Sequence, residues 1–125
     1  MKGNLSRIFA IAILGTISTV SFAGGRYANP PVGMVESFQL CVKALDAAKA
    51  GDSATALESA KQARKISLAS YKELSTMPME IASSTSKKAI NALEAGDVAG
   101  AISEMEHCKE KLTTEIDYYK SEGKL

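Results

Sequence analysis

The chain has 125 residues, 46% of them hydrophobic and 23% charged, which is the composition of one small globular domain with no room for a second. A formal net charge of +1, three prolines and nine glycines exclude a low-complexity chain and give no basic excess of the kind nucleic-acid binders carry, so no nucleic-acid partner is expected. Trp is absent and aromatics are 6%, so stacking platforms for bases, sugars or flat cofactors are scarce.

Lys2 and Arg7 open the chain, Ile8 to Val20 is an uncharged stretch rich in Ile, Ala and Leu, and Ser21-Phe22-Ala23 places small residues at the −3 and −1 positions. That pattern predicts a secretory signal peptide over 1–23, cleaved after Ala23, and hence a periplasmic or secreted protein. A membrane anchor is the competing reading. The stretch from Ile8 to Ala23 contains Gly15, Thr16, Ser18 and Thr19 and falls short of the roughly 20 strongly apolar residues that a span needs. The first cysteine is Cys41, too far along for a lipidated N-terminus. Removing Lys2 and Arg7 from the 15 basic side chains leaves 13 against 14 acidic ones, a near-neutral balance from which no charge-driven partner is expected.

Residues 24–31 read as an extended segment, because Asn29-Pro30-Pro31 disfavours helix until Pro31 can serve in a first turn. Met34, Phe38, Cys41, Leu45 and Ala48 then recur at spacings of four and three, predicting a first amphipathic helix over 32–50. Gly51 suits a left-handed helix end and Asp52 a cap for the next helix, 53–75, which carries Leu57, Ala60, Ala63, Ser67, Ser70, Tyr71 and Leu74 on one side. Ser75-Thr76-Met77-Pro78 supplies a cap and a first-turn proline for a third helix, 78–95, with Ile81, Ala82, Ala89, Ile90 and Leu93 inward. Gly96 ends it. The fourth helix, 97–121, has the seam Val98, Ala101, Met105, Cys108, Leu112, Ile116 and Tyr119, and 122–125 form a tail.

A shift of 45 residues lays the first helical turn region over the second, pairing Ala50-Gly51-Asp52 with Ala95-Gly96-Asp97 and Ala44, Ala47, Ala54 and Ala56 with Ala89, Ala92, Ala99 and Ala101. One hairpin cannot bury its own apolar face, so two similar hairpins over 32–121 predict an all-α, antiparallel up-down four-helix bundle. A two-repeat helical solenoid of the tetratricopeptide type is the alternative.

Cys41 lies ten residues before Gly51 and Cys108 twelve after Gly96, which at about 1.5 Å per residue sets both at one level below the same end of such a bundle. Both fall on core-facing seams of first and last helices, which are neighbours in an up-down bundle, so a Cys41–Cys108 disulfide is expected, with two buried thiols as the alternative. A catalytic redox pair would show C-x-x-C at a helix start.

The one histidine, His107, stands in Glu104-Met105-Glu106-His107, a single E-x-x-H where di-iron bundles need two with further inward glutamates. No G-x-S-x-G, glycine-rich phosphate loop or HExxH helix occurs, and no enzyme is expected. Met77 and Met79 flank Pro78 at the end where Met34 starts its helix, and three thioethers there would select Cu(I); the competing reading is that Met34, Met77 and Met79 fill the apolar end of the bundle.

Ala89-Ile90-Asn91-Ala92-Leu93-Glu94-Ala95-Gly96 followed by a long helix ending in Tyr118-Tyr119-Lys120 resembles the last hairpin of the soluble b-type cytochrome family. That resemblance implies an exported four-helix bundle holding haem between a Met near the start of the first helix, where Met34 stands, and a His near the end of the last, where Ile116, Asp117, Tyr118 and Tyr119 stand instead. The Ala-rich hairpins and glycine turns are also similar to a family of small exported metal-binding bundles, whose many histidines this chain lacks. The expectation is an exported, non-catalytic binding or interaction protein, monomer or weak homodimer, needing no cofactor, with an unknown protein or small ligand as partner. The alternative is a Cu(I) or haem carrier.

Overall fold

The computed structural model describes residues 26–125, and the predicted leader over 1–23 lies outside the described residues. Behind a short segment at 26–33 stand four helices, α1 (Met34–Lys49), α2 (Ser53–Glu73), α3 (Met77–Glu94) and α4 (Val98–Ser121), each within two residues of its predicted bounds. Each helix packs along the next, α4 returns to α1, and only sparse contact crosses the diagonal from α1 to α3. That ring of neighbours is a four-helix bundle, in which the α2–α3 side faces away from the α4–α1 side.

The repeat is visible atom by atom in the two turns. Gly51 and Gly96 are both left-handed, with φ of 81° and 79°. Asp52 N–H donates to the Ala47 carbonyl at 2.8 Å, and Asp97 N–H to the equivalent Ala92 carbonyl at 2.7 Å. The Asp52 carboxylate accepts from Thr55 N–H at 3.1 Å and the Asp97 carboxylate from Gly100 N–H at 2.9 Å, so each aspartate satisfies a donor that the first helical turn would leave free. That hydrogen bond to the charged form lowers the Asp52 pKa.

The start of α1 departs from expectation. Pro31 does not enter the first turn; the chain turns instead at Gly33, left-handed at φ 83°, and Met34 N–H donates back to the Pro31 carbonyl at 3.2 Å. A Cβ on Gly33 would sit 2.8 Å from Ile66 Cγ2, whereas one on Gly51 would meet nothing within 4 Å. Gly51→Ala should therefore lose about 1 kcal/mol, for backbone conformation alone, and Gly33→Ala about 2 kcal/mol or more because a packed isoleucine must also move. Chemical denaturation of the two variants checks the order; equal losses would mean that the Ile66 contact relaxes freely.

The core is built unevenly. Met34, Cys41, Leu45, Met105, Cys108 and Leu112 fill the α1–α4 half and are essentially inaccessible. The α2–α3 half is lined by small residues, including Ala60, Ala63, Ala82 and Ala89 with Ser59, Ser67 and Ser86. Two of the buried hydroxyls on these helices bond to the helix itself: Ser67 Oγ donates to the Ala63 carbonyl and Thr85 Oγ1 to the Ile81 carbonyl, each at 2.7 Å. The inward stripe of α2 therefore runs through Ala56, Ser59, Ala60 and Ala63. Leu57 and Leu74, expected on it, are half-buried and 48% exposed. Ile81, Ile90 and Leu93 likewise sit at the edge of the α3 stripe, half-buried. Small residues on the seam allow close helix approach, and the larger aliphatics seal its flanks.

Cys41 and Cys108 are joined in a disulfide between α1 and α4, with Cα atoms 6.4 Å apart. The repeat carries Cys41 onto Ser86 and Cys108 onto Ala63, so the equivalent α2–α3 position has no bridge. Ser86 Oγ instead lies 3.9 Å from Cys41 Sγ.

Candidate functional site

Sequence reasoning singled out the methionine end of the bundle, and the structure divides its three residues. Met34 and Met79 are packed in the core, at 1% and 0% exposure, while Met77 stands 67% exposed at the first position of α3. With two thioethers buried in the core, Met77→Leu with Met79→Leu should leave competition for Cu(I) against a moderate chelator unchanged from wild type; loss of competition would establish a site.

The same end is closed by a strap that the sequence showed only as an extended segment. Arg26 donates to both carboxylate oxygens of Glu115 at 3.1 Å, and its guanidinium lies 4.3 Å from the centre of the Tyr118 ring. Tyr119 Oη donates to the Tyr27 carbonyl at 2.8 Å, and Tyr27 Oη reaches the Ser75 carbonyl at 3.5 Å. Beneath the strap is a cavity of about 100 Å³ where Thr76, at the start of α3, keeps a buried hydroxyl with no hydrogen-bond partner. Burial raises the Tyr119 pKa above 10.0. The Tyr119–Tyr27 hydrogen bond is therefore intact below that value and is lost as pH rises through the higher folded one, where the phenolate can no longer donate. Tyr119→Phe should lose about 1 kcal/mol at neutral pH and flatten the alkaline fall in stability; an unchanged alkaline limb would assign it to another group.

His107 is exposed and lines an open groove of about 650 Å³ between α1 and α4, beside Glu106, Glu110, Lys49 and Lys109. Met34 is enclosed in the first turn of α1 and the last two turns of α4 hold no histidine, so these residues do not fit the Met–His pair that would hold a haem. Among the described residues, no three His, Cys, Asp or Glu side chains gather closely enough to hold a metal ion.

The opposite side of the bundle is different in kind. Two adjoining grooves, of about 440 and 350 Å³, run between α2 and α3 and share Arg64 and Leu68. Six cations line them, Lys61, Arg64, Lys65 and Lys72 from α2 and Lys87 and Lys88 from α3, and no carboxylate does. Positions 61, 64, 65, 68 and 72 fall on one face of α2, and 84, 87, 88 and 91 on one face of α3, by the three-and-four spacing of a helix. The two ion pairs among the described residues are Arg26–Glu115 and Lys49–Glu106, so none of the six is neutralised in this way.

The repeat makes this asymmetry plain. Lys61, Lys65 and Lys72 on α2 correspond to Glu106, Glu110 and Asp117 on α4, a reversal of charge at three equivalent positions of one architecture. The near-neutral total averages over these two sides. The signal was present in the chain: no acidic residue stands between Glu58 and Glu73, where four cations do, and none between Glu80 and Glu94, where two do.

No family model, curated protein or solved structure matches this chain.

Proposed function

We infer that this is a non-catalytic binding protein of the cell envelope or the extracellular space, acting through the α2–α3 face on an anionic partner. The observation that carries the reading is the set of six cations around two adjoining grooves without one lining carboxylate. Like charges at i, i+3 and i+4 repel and oppose helix formation, so Lys61, Arg64 and Lys65 on one face raise the free energy of the isolated chain, an effect that an anion would relieve. The leader expected over 1–23 from the sequence and the Cys41–Cys108 disulfide support export, since structural disulfides persist in oxidising compartments. No helix of the described residues is long and apolar enough to cross a membrane.

The test is titration with heparin, a soluble sulfated polyanion, at increasing salt. Binding is expected at low ionic strength despite the near-neutral total charge, weakening steeply as the Debye length falls to about 8 Å at physiological salt. Absence of binding at low salt would overturn the reading.

A further inference from the structure

We propose that the anionic partner is a phospholipid bilayer surface, on which the bundle lies with its α2–α3 face against the headgroups. The proposal rests on the reading that this face binds anions, and adds what presents them.

Three features select a bilayer over a soluble chain of charges. The first is the choice of cation. Five of the six are lysines, whose compact, hydrated ammonium groups settle among headgroups as point charges, whereas sites that grip single phosphates favour the bidentate fork of arginine. The second is the absence of any aromatic residue lining either groove, which removes the stacking by which single-stranded nucleic acids are held. The third is what lies between the cations. Leu68 and Ile90 line the groove half-buried and Ala69 exposed, so apolar surface lies among the exposed lysines. Basic side chains around apolar surface are the pattern of elements that lie in the interfacial plane, their charges among the headgroups.

The fold supplies the orientation. α2 and α3 are neighbours, and the stripe from Lys61 to Lys72 extends eleven residues, about 16 Å along one side. The opposite side carries a mixed groove in which Lys49 and Lys109 balance Glu106 and Glu110, and Lys49 is paired with Glu106, so it offers an anionic surface no net attraction. Attraction on one side and a balanced groove on the other give the molecule one preferred way down. Each lysine near such a surface contributes about fivefold in affinity, so no single cation decides binding and the set together does.

Co-sedimentation of the purified protein with vesicles tests this. Binding to vesicles containing phosphatidylglycerol, none to phosphatidylcholine alone, and reversal by salt are expected. Lys61→Glu with Lys65→Glu should reduce vesicle binding by more than twenty-fivefold with the helical circular dichroism unchanged, because α4 already holds glutamate at the equivalent positions. Heparin binding without vesicle binding would overturn the bilayer and leave the anion-binding face standing. Binding to neither would overturn both. Vesicle binding that survives the double reversal would place the contact elsewhere and overturn the proposal too.

Discussion

Reduction of the Cys41–Cys108 bridge should lower the thermal midpoint by on the order of 20 °C. The bond joins α1 to α4 across a sequence separation of 67, so cutting it releases nearly the whole bundle in the unfolded state. Chain-entropy reasoning for a loop of that size assigns about 4 kcal/mol, and a domain of this length moves roughly 4–8 °C per kcal/mol. The loss is large relative to what remains, because the α2–α3 half of the core is, apart from Met79, made mostly of Ala and Ser and contributes little apolar area per residue. Cys41→Ala with Cys108→Ala should reproduce the effect of reductant, and no thiol in the unreduced protein should react with an alkylating agent. A midpoint that moves by only a few degrees would mean that the helices hold the ring closed without the bridge.

Exchanging the charges of α2 for those of α4 should abolish anion binding and leave folding intact. Lys61→Glu, Lys65→Glu and Lys72→Asp put on α2 the residues that the repeat already carries at Glu106, Glu110 and Asp117. All three lysines are exposed, so stability should change by less than about 0.5 kcal/mol per site. Affinity for heparin at low salt should fall more than a hundredfold, since three attractions become three repulsions within a Debye length of the groove. Conversely, Glu106→Lys with Glu110→Lys should leave the α2–α3 affinity essentially unchanged. Retained heparin binding in the triple variant would show that the anion is held elsewhere than on the α2–α3 face.

Much of the fold was legible because its punctuation is local. The Ala-Gly-Asp turns, the seam of α4 and the common level of Cys41 and Cys108 follow from helix geometry and residue type, which depend on near neighbours. The inward face of α2 was harder to read. Periodicity weighted toward large aliphatics expects Leu57 and Leu74 inside, but the seam there is made by Ala56, Ser59 and Ala60, and only packing against a partner helix reveals that small residues were wanted. The strap from Arg26 to Tyr27 depends on pairings across some ninety residues and left no local pattern. Two methionines of the proposed soft-metal cluster, Met34 and Met79, are core residues, which hydropathy alone does not distinguish from ligands. The basic face was written in the chain as two intervals without acids, and a whole-chain charge sum hides it.

Contact with an anionic partner through the α2–α3 face alone is read out residue by residue in amide shifts during a heparin titration. Perturbations should concentrate at 61–72 on α2 and 83–91 on α3, leaving Glu106, His107 and Glu110 on the far side unmoved. Shifts centred on α1 and α4, or spread evenly over all four helices, would contradict it.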